Sequence, residues 1–131
     1  MIPTRALLFD LGGVVIDFTF ERALALWEPH SRLSPAELRA AFRHDAPFEH
    51  FETGALDRPG YFAHLREALA LDCDDTVLEA AWNATLIAEI EETAAMIDQV
   101  RGRVPCYALT NTNPPHWGHM RTAFAAMLAR F

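Results

Sequence analysis

Apolar residues dominate positions 5 to 16, interrupted by Asp10 and by the pair Gly12-Gly13. RALLF at 5 to 9 predicts a short buried strand that runs into a tight turn, and unbroken apolarity in place of alternation predicts a strand covered on both faces, as in a parallel sheet. The period then changes to that of a helix. Phe20, Ala23, Leu24 and Trp27 share one face until Pro29 ends the run. Ser34-Pro35-Ala36-Glu37 has the form of a capping box with proline at the first helical position, and it leads the stripe Leu38, Ala41, Phe42. Phe48 and Phe51 mark a short helix, and Asp57-Arg58-Pro59 opens another with Phe62, Leu65 and Leu69 inward. Asp74 and Asp75 are N-caps for a segment carrying Leu78, Ala81 and Trp82. Residues 18 to 88 therefore read as entirely helical.

A further helix at about 89 to 101 carries Ile90, Ile97 and Val100 and stops at Gly102, a natural left-handed cap. Val104 to Leu109 predicts a second strand. After a loop, a last helix from about Pro115 puts Trp117, Met120, Phe124, Met127 and Phe131 on one face. Strand, helical block, helix, strand and helix make a βαβ unit with a helical insertion. The expected class is α/β, with a core at 1–17 and 89–131 and a helical block at 18–88.

Composition narrows the function. The net charge of −7 excludes the basic face that nucleic acid or an anionic membrane surface requires. No apolar run approaches the about 20 residues of a membrane span. Cys73 and Cys106 are too few for a disulfide framework and have no metal-type spacing, which together with the lack of a signal peptide points to a cytoplasmic protein. The partners left are small molecules or proteins. All eleven basic residues are arginine, and no acidic residue follows Asp98.

Asp10 stands where a buried strand gives way to a glycine turn, the place at which open α/β sheets bind ligands. Taken alone, a turn or cap role is the commoner one for such an aspartate. The string LLFDLGGVVIDF at 7 to 18 resembles the first motif of the haloacid dehalogenase-like (HAD) hydrolases, and YALTNTN at 107 to 113 resembles their second. With a helical block between them, the pair looks most like the helical-cap branch of bacterial sugar-phosphate (glucose-1-phosphate type) phosphatases and the phosphatase domain of epoxide hydrolases. The expected fold is thus a partial HAD-like Rossmannoid core with an inserted helical cap.

The resemblance implies a phosphatase of a small phosphorylated metabolite, with Asp10 as nucleophile forming an aspartyl-phosphate. Asp10 and the carbonyl of Gly12 would help hold Mg²⁺. Thr110 and Asn111 would steady the transferring phosphoryl group, and Gly12, Gly13, Asn113 and His116 would add substrate contacts. The plainer role of Thr110-Asn111 is a loop entry and helix cap. His44, His50 and His64 lack the i, i+4 spacing of a metal face and read as solvated or interior side chains.

Three departures bear on activity. Gly12 occupies the place of the family's acid/base aspartate, which leaves 2-haloacid dehalogenase open as an alternative. The family's downstream lysine and its late acidic pair have no counterpart, so Mg²⁺ would be weakly held. These losses predict an N-terminal portion of a longer fold, whose first strand has an open edge through which the chain self-associates. A non-catalytic helical binding or scaffold protein is the reading from another class.

Overall fold

The computed structural model describes residues 3–131. Among them are four strands, β1 (Leu7–Phe9), β2 (Ile16–Phe18), β3 (Leu86–Glu89) and β4 (Cys106–Ala108). The helices are α1 (Phe20–Trp27), α2 (Pro35–Ala41), α3 (Ala46–Glu52), α4 (Arg58–Ala68), α5 (Asp75–Asn83), α6 (Glu91–Val100), α7 (Pro114–Ala123) and α8 (Ala125–Leu128), with a 3-10 turn at Glu28–His30. The α/β class expected from the pattern is the observed one. No helix among the described residues is long and apolar enough to cross a membrane. The chain divides into two compact units.

The first unit comprises the N-terminal stretch through Phe18, Leu86–Asn111 and Trp117–Phe131. β1 and β4 pair in parallel, with Leu7 opposite Cys106, Leu8 opposite Tyr107 and Phe9 opposite Ala108. Leu7 and Phe9 turn inward onto Ile97, Cys106, Met120 and Met127, which form the core of this unit with Leu11, Val15 and Ile16. Leu8, Tyr107 and Leu109 are instead exposed on the other face, at 65%, 53% and 68%. A sheet covered on both faces was expected; within this unit one face is covered and the other is open. Arg130 on the last turn reaches Glu89 of β3 and Asp98 of α6, which fastens the C-terminal helix to the rest of the unit.

The pattern missed an antiparallel pair. β2 lies against β3, Ile16 opposite Glu89 and Asp17 opposite Ala88, so the helical run does not reach residue 88. Ile90 N–H donates to Val15 O at 2.8 Å and carries this pairing one residue further. Two more expectations change. Gly102 does not take the left-handed conformation, which among the described residues belongs to Gly13, Gly54 and Ala70. The last helix breaks at Phe124, and Trp117 stays 45% exposed, with the Arg121 guanidinium 5.9 Å from its ring centre.

The second unit, Thr19–Thr85 with Thr112–His116, is built of α1 to α5 around an aromatic core. Each helix starts at a side chain that accepts a backbone N–H, namely Thr19, Ser34, Asp45, Asp57 and Asp74. Trp27 and Trp82 stack at 6.3 Å, and Phe51 stacks on Tyr61 at 4.4 Å. Burial of the two indoles leaves their N–H groups in need of partners. Trp27 Nε1 donates to Leu78 O at 3.3 Å and Trp82 Nε1 to Asn113 Oδ1 at 3.1 Å.

Candidate active site

Parallel pairing brings the ends of β1 and β4 to the same edge. Leu109 N–H donates to Phe9 O at 2.8 Å, so continuing the register sets Asp10 level with Leu109 and Thr110 one step beyond it. Both residues therefore leave neighbouring strands at the carboxyl end of the sheet, the position at which α/β sheets bind ligands. Asp10 is exposed, and its Oδ1 accepts the N–H of Leu11 at 2.7 Å. That bond fixes the carboxylate against the turn and leaves Oδ2 unbonded to any described residue. The half-buried Thr110 donates its hydroxyl to Asn111 O at 3.3 Å, a long contact that a better acceptor would displace. Asn111 is exposed beside it.

The turn after Asp10 is built on one carbonyl. Leu11 O accepts from Val14, Val15 and Ile16 at 3.1, 2.8 and 2.9 Å, and Gly13 N–H donates to Ile16 O at 2.8 Å. The path requires Gly13 at φ +76°, where a side chain would be strained. Leu11 at 3% and Val15 at 0% exposure are buried, whereas Gly12 and Gly13 stay exposed next to Asp10. Sequence patterning marked this turn and its aspartate.

Asn113 and His116 belong to the helical unit, where both are buried. They were expected as substrate contacts, but their polar atoms are engaged inside the protein. Asn113 Oδ1 accepts from Trp82 Nε1 and from His116 N–H at 3.1 Å each, and Asn113 Nδ2 donates to Glu52 Oε1 at 2.7 Å. The bond to His116 N–H caps α7. Asn113-Pro114-Pro115 is an N-cap followed by proline, a signal present in the sequence. The partnership with Trp82 left no such signal.

Among the described residues no three His, Cys, Asp or Glu side chains converge as a cation cage. An open cleft of about 520 Å³ lies at the opposite end of β4, lined by Arg101, Pro105, Cys106, Tyr107 and Arg130 among others. Its arginines are already paired with Asp98 and Glu89, and it is far along the strand from Asp10.

No protein-family model matches the sequence. Solved structures do. A HAD family enzyme from Bacteroides thetaiotaomicron, in complex with magnesium and inorganic phosphate, superposes with a TM-score of 0.71 at 26% identity over 90% of this chain. The chain has the fold of the HAD-like hydrolases. A HAD-like family hydrolase from Porphyromonas gingivalis shares that fold at TM-score 0.66 and 22% identity, covering 86% of this chain and 53% of its own. The HAD-hydrolase YfnB from Bacillus subtilis, bound to magnesium, does so at TM-score 0.58 and 20% identity, covering 98% and 62%. This chain spans about 58% of the length of the Bacteroides enzyme.

Proposed function

We propose that this chain carries the nucleophile of a HAD-like hydrolase that acts on a small phosphomonoester, with Asp10 attacking phosphorus. The observation that supports this most directly is an exposed carboxylate at the carboxyl end of β1, beside a threonine that leaves the parallel strand β4 at the same edge. Asp10 Oδ2 would form the new bond to phosphorus as the ester oxygen departs and takes a proton from solvent, leaving an aspartyl-phosphate. Water attack on that phosphorus would release inorganic phosphate and regenerate the carboxylate. Oδ1, held by Leu11 N–H, sets the angle of the attacking oxygen. The Thr110 hydroxyl and the Asn111 amide would donate to the equatorial phosphoryl oxygens, where negative charge accumulates.

Mg²⁺ fits part of this site. Asp10 and the Gly12 carbonyl are hard oxygen donors suited to it, and waters and phosphate oxygens would have to supply its other ligands. When bound, the ion would neutralise charge between nucleophile and phosphate. With no cluster of three ligating side chains among the described residues, its affinity would be low.

The test is hydrolysis of p-nitrophenyl phosphate and sugar phosphates by this chain and by its longest natural form, each as wild type and as Asp10→Asn. Asn keeps the size and the Leu11 contact but removes the nucleophile, so kcat falls by about three orders of magnitude or more. Undiminished turnover by Asp10→Asn would overturn the assignment. A non-catalytic role is the second reading, favoured by the open cation site, at which no three His, Cys, Asp or Glu side chains converge among the described residues. It predicts phosphate binding without turnover in every form. Release of halide from 2-haloacids would point to the dehalogenase alternative that Gly12 leaves open.

A further inference from the structure

The buried cluster of Asn113, His116, Trp82 and Thr85 has a hydrogen-bond pattern that determines where its protons are. Asn113 Oδ1 accepts from two groups that can only donate, Trp82 Nε1–H and the backbone N–H of His116, both at 3.1 Å. The amide nitrogen therefore lies on the other side, donating to Glu52 Oε1 at 2.7 Å and facing His116 Nδ1 at 3.3 Å. A ring nitrogen opposite an NH₂ group has to accept, so the imidazole proton sits on Nε2. Nε2 is 3.0 Å from Trp82 O and 3.1 Å from Thr85 Oγ1. The Thr85 hydroxyl donates to Trp82 O at 2.8 Å, which leaves its lone pairs for Nε2–H. The ring also stacks on Trp82, centroids 5.0 Å apart and planes 13° from parallel.

We infer that Asn113 and His116 are positioning residues that act together as a tautomer-specific latch, closed only by the neutral Nε2–H imidazole and opened by proton uptake. A proton added at Nδ1 would meet the Asn113 NH₂. The amide has no way to turn over, since its nitrogen would then face Trp82 Nε1–H and its oxygen the Glu52 carboxylate. Glu52 comes from α3, and an imidazolium could reach it only by displacing Asn113, which breaks the Trp82 bond. Tyr61 of α4 packs on Trp82 at 5.4 Å and remains a neutral phenol, because burial, with Asp45 and Glu52 adding to it, pushes its ionisation far up. The latch anchors the stretch 112–116, which follows Asn111, to the helical unit through the buried side chains of Asn113 and His116. It holds whether or not Asp10 is a nucleophile.

The experiment is a long-range ¹H–¹⁵N correlation of the six imidazoles in the 131-residue chain between pH 8 and 5, following the Trp82 indole N–H resonance in parallel. His116 shows the neutral Nε2–H pattern and keeps it at about pH 6.5, where a free imidazole is half protonated. When it does protonate, the Trp82 resonance moves with it. Asn113→Asp puts a carboxylate oxygen opposite Nδ1 and raises the pH at which His116 takes up its proton by about one unit or more, a tenfold gain in proton affinity. His116→Gln keeps a donor where Nε2 was and abolishes the pH response of Trp82. If Asn113→Asp does not fold, the wild-type tautomer and the His116→Gln profile decide. A wild-type Nδ1–H tautomer, or protonation of His116 that leaves Trp82 unmoved, overturns the latch.

Discussion

Gly13 occupies the left-handed region at φ +76°, and a Cβ built there would meet nothing within 4 Å. Its replacement is thus a test of backbone conformation alone. Gly13→Ala should destabilise the chain by about 1–2 kcal/mol through αL strand-exit strain, with no steric addition. A urea midpoint that falls with an unchanged slope would agree; an unchanged midpoint would mean that the turn adopts another path in solution. The same residue shows why part of the site was legible. A glycine pair after an apolar strand has few structural uses, so Asp10 and its turn could be located from composition and order. Asn113 and His116 were different, because burial is decided by partners such as Trp82 and Glu52, which lie about thirty and sixty residues earlier. A polar residue in a loop-like string carries no mark of that distant contact. Residue types are legible in a sequence, and such surroundings are not.

At the scale of elements, caps were legible where strands were not. Ser34 and Glu37 form the reciprocal capping box that their spacing predicts, Glu37 Oε2 accepting the Ser34 N–H at 2.8 Å. Ser34→Ala should cost about 1 kcal/mol, read as a lower thermal or urea midpoint. No change would show that Pro35 and the packing of Leu38 hold α2 without the cap. β2 and β3 were missed because each has only three or four residues, IDF and LIAE, too few to display a period of two against the helical runs beside them. α8 is held by side-chain pairing. The hydrogen bond from Arg130 keeps the carboxyl of Asp98 below its usual range; desolvation opposes it, and the Arg130 and Arg101 charges add to it. A carboxylate with a lowered folded-state value contributes stability above its unfolded value of about 3.9, and loses it as pH falls through the lower folded value. Arg130→Met should therefore flatten the acid limb of the unfolding midpoint below about pH 4. An acid limb as steep as that of the wild type would assign the pairing no role in solution.

For the molecule as a whole, the most consequential surface is the open face of the β1–β4 sheet. Apolar strands predicted a sheet covered on both faces, but α6 to α8 of the first unit supply cover for only one. Leu8 and Tyr107 are direct cross-strand partners, and Leu109 extends the same row, so three large side chains stand together in water. A two-stranded parallel sheet is marginal by itself, and among the described residues no further strand pairs with either of its outer edges. Exposed apolar area of this kind drives association. The double substitution Leu8→Thr with Leu109→Thr keeps β-branched residues suited to a strand and removes most of the apolar row. Sedimentation velocity across a concentration series should show the wild-type chain associating and the double variant shifting toward monomer, without loss of far-UV circular dichroism. If the wild type sediments as a monomer at its highest soluble concentration, the row is not adhesive. If association persists unchanged in the variant, it runs through the strand edges, where main-chain groups pair regardless of side chain, and a proline at Leu8 would then abolish it.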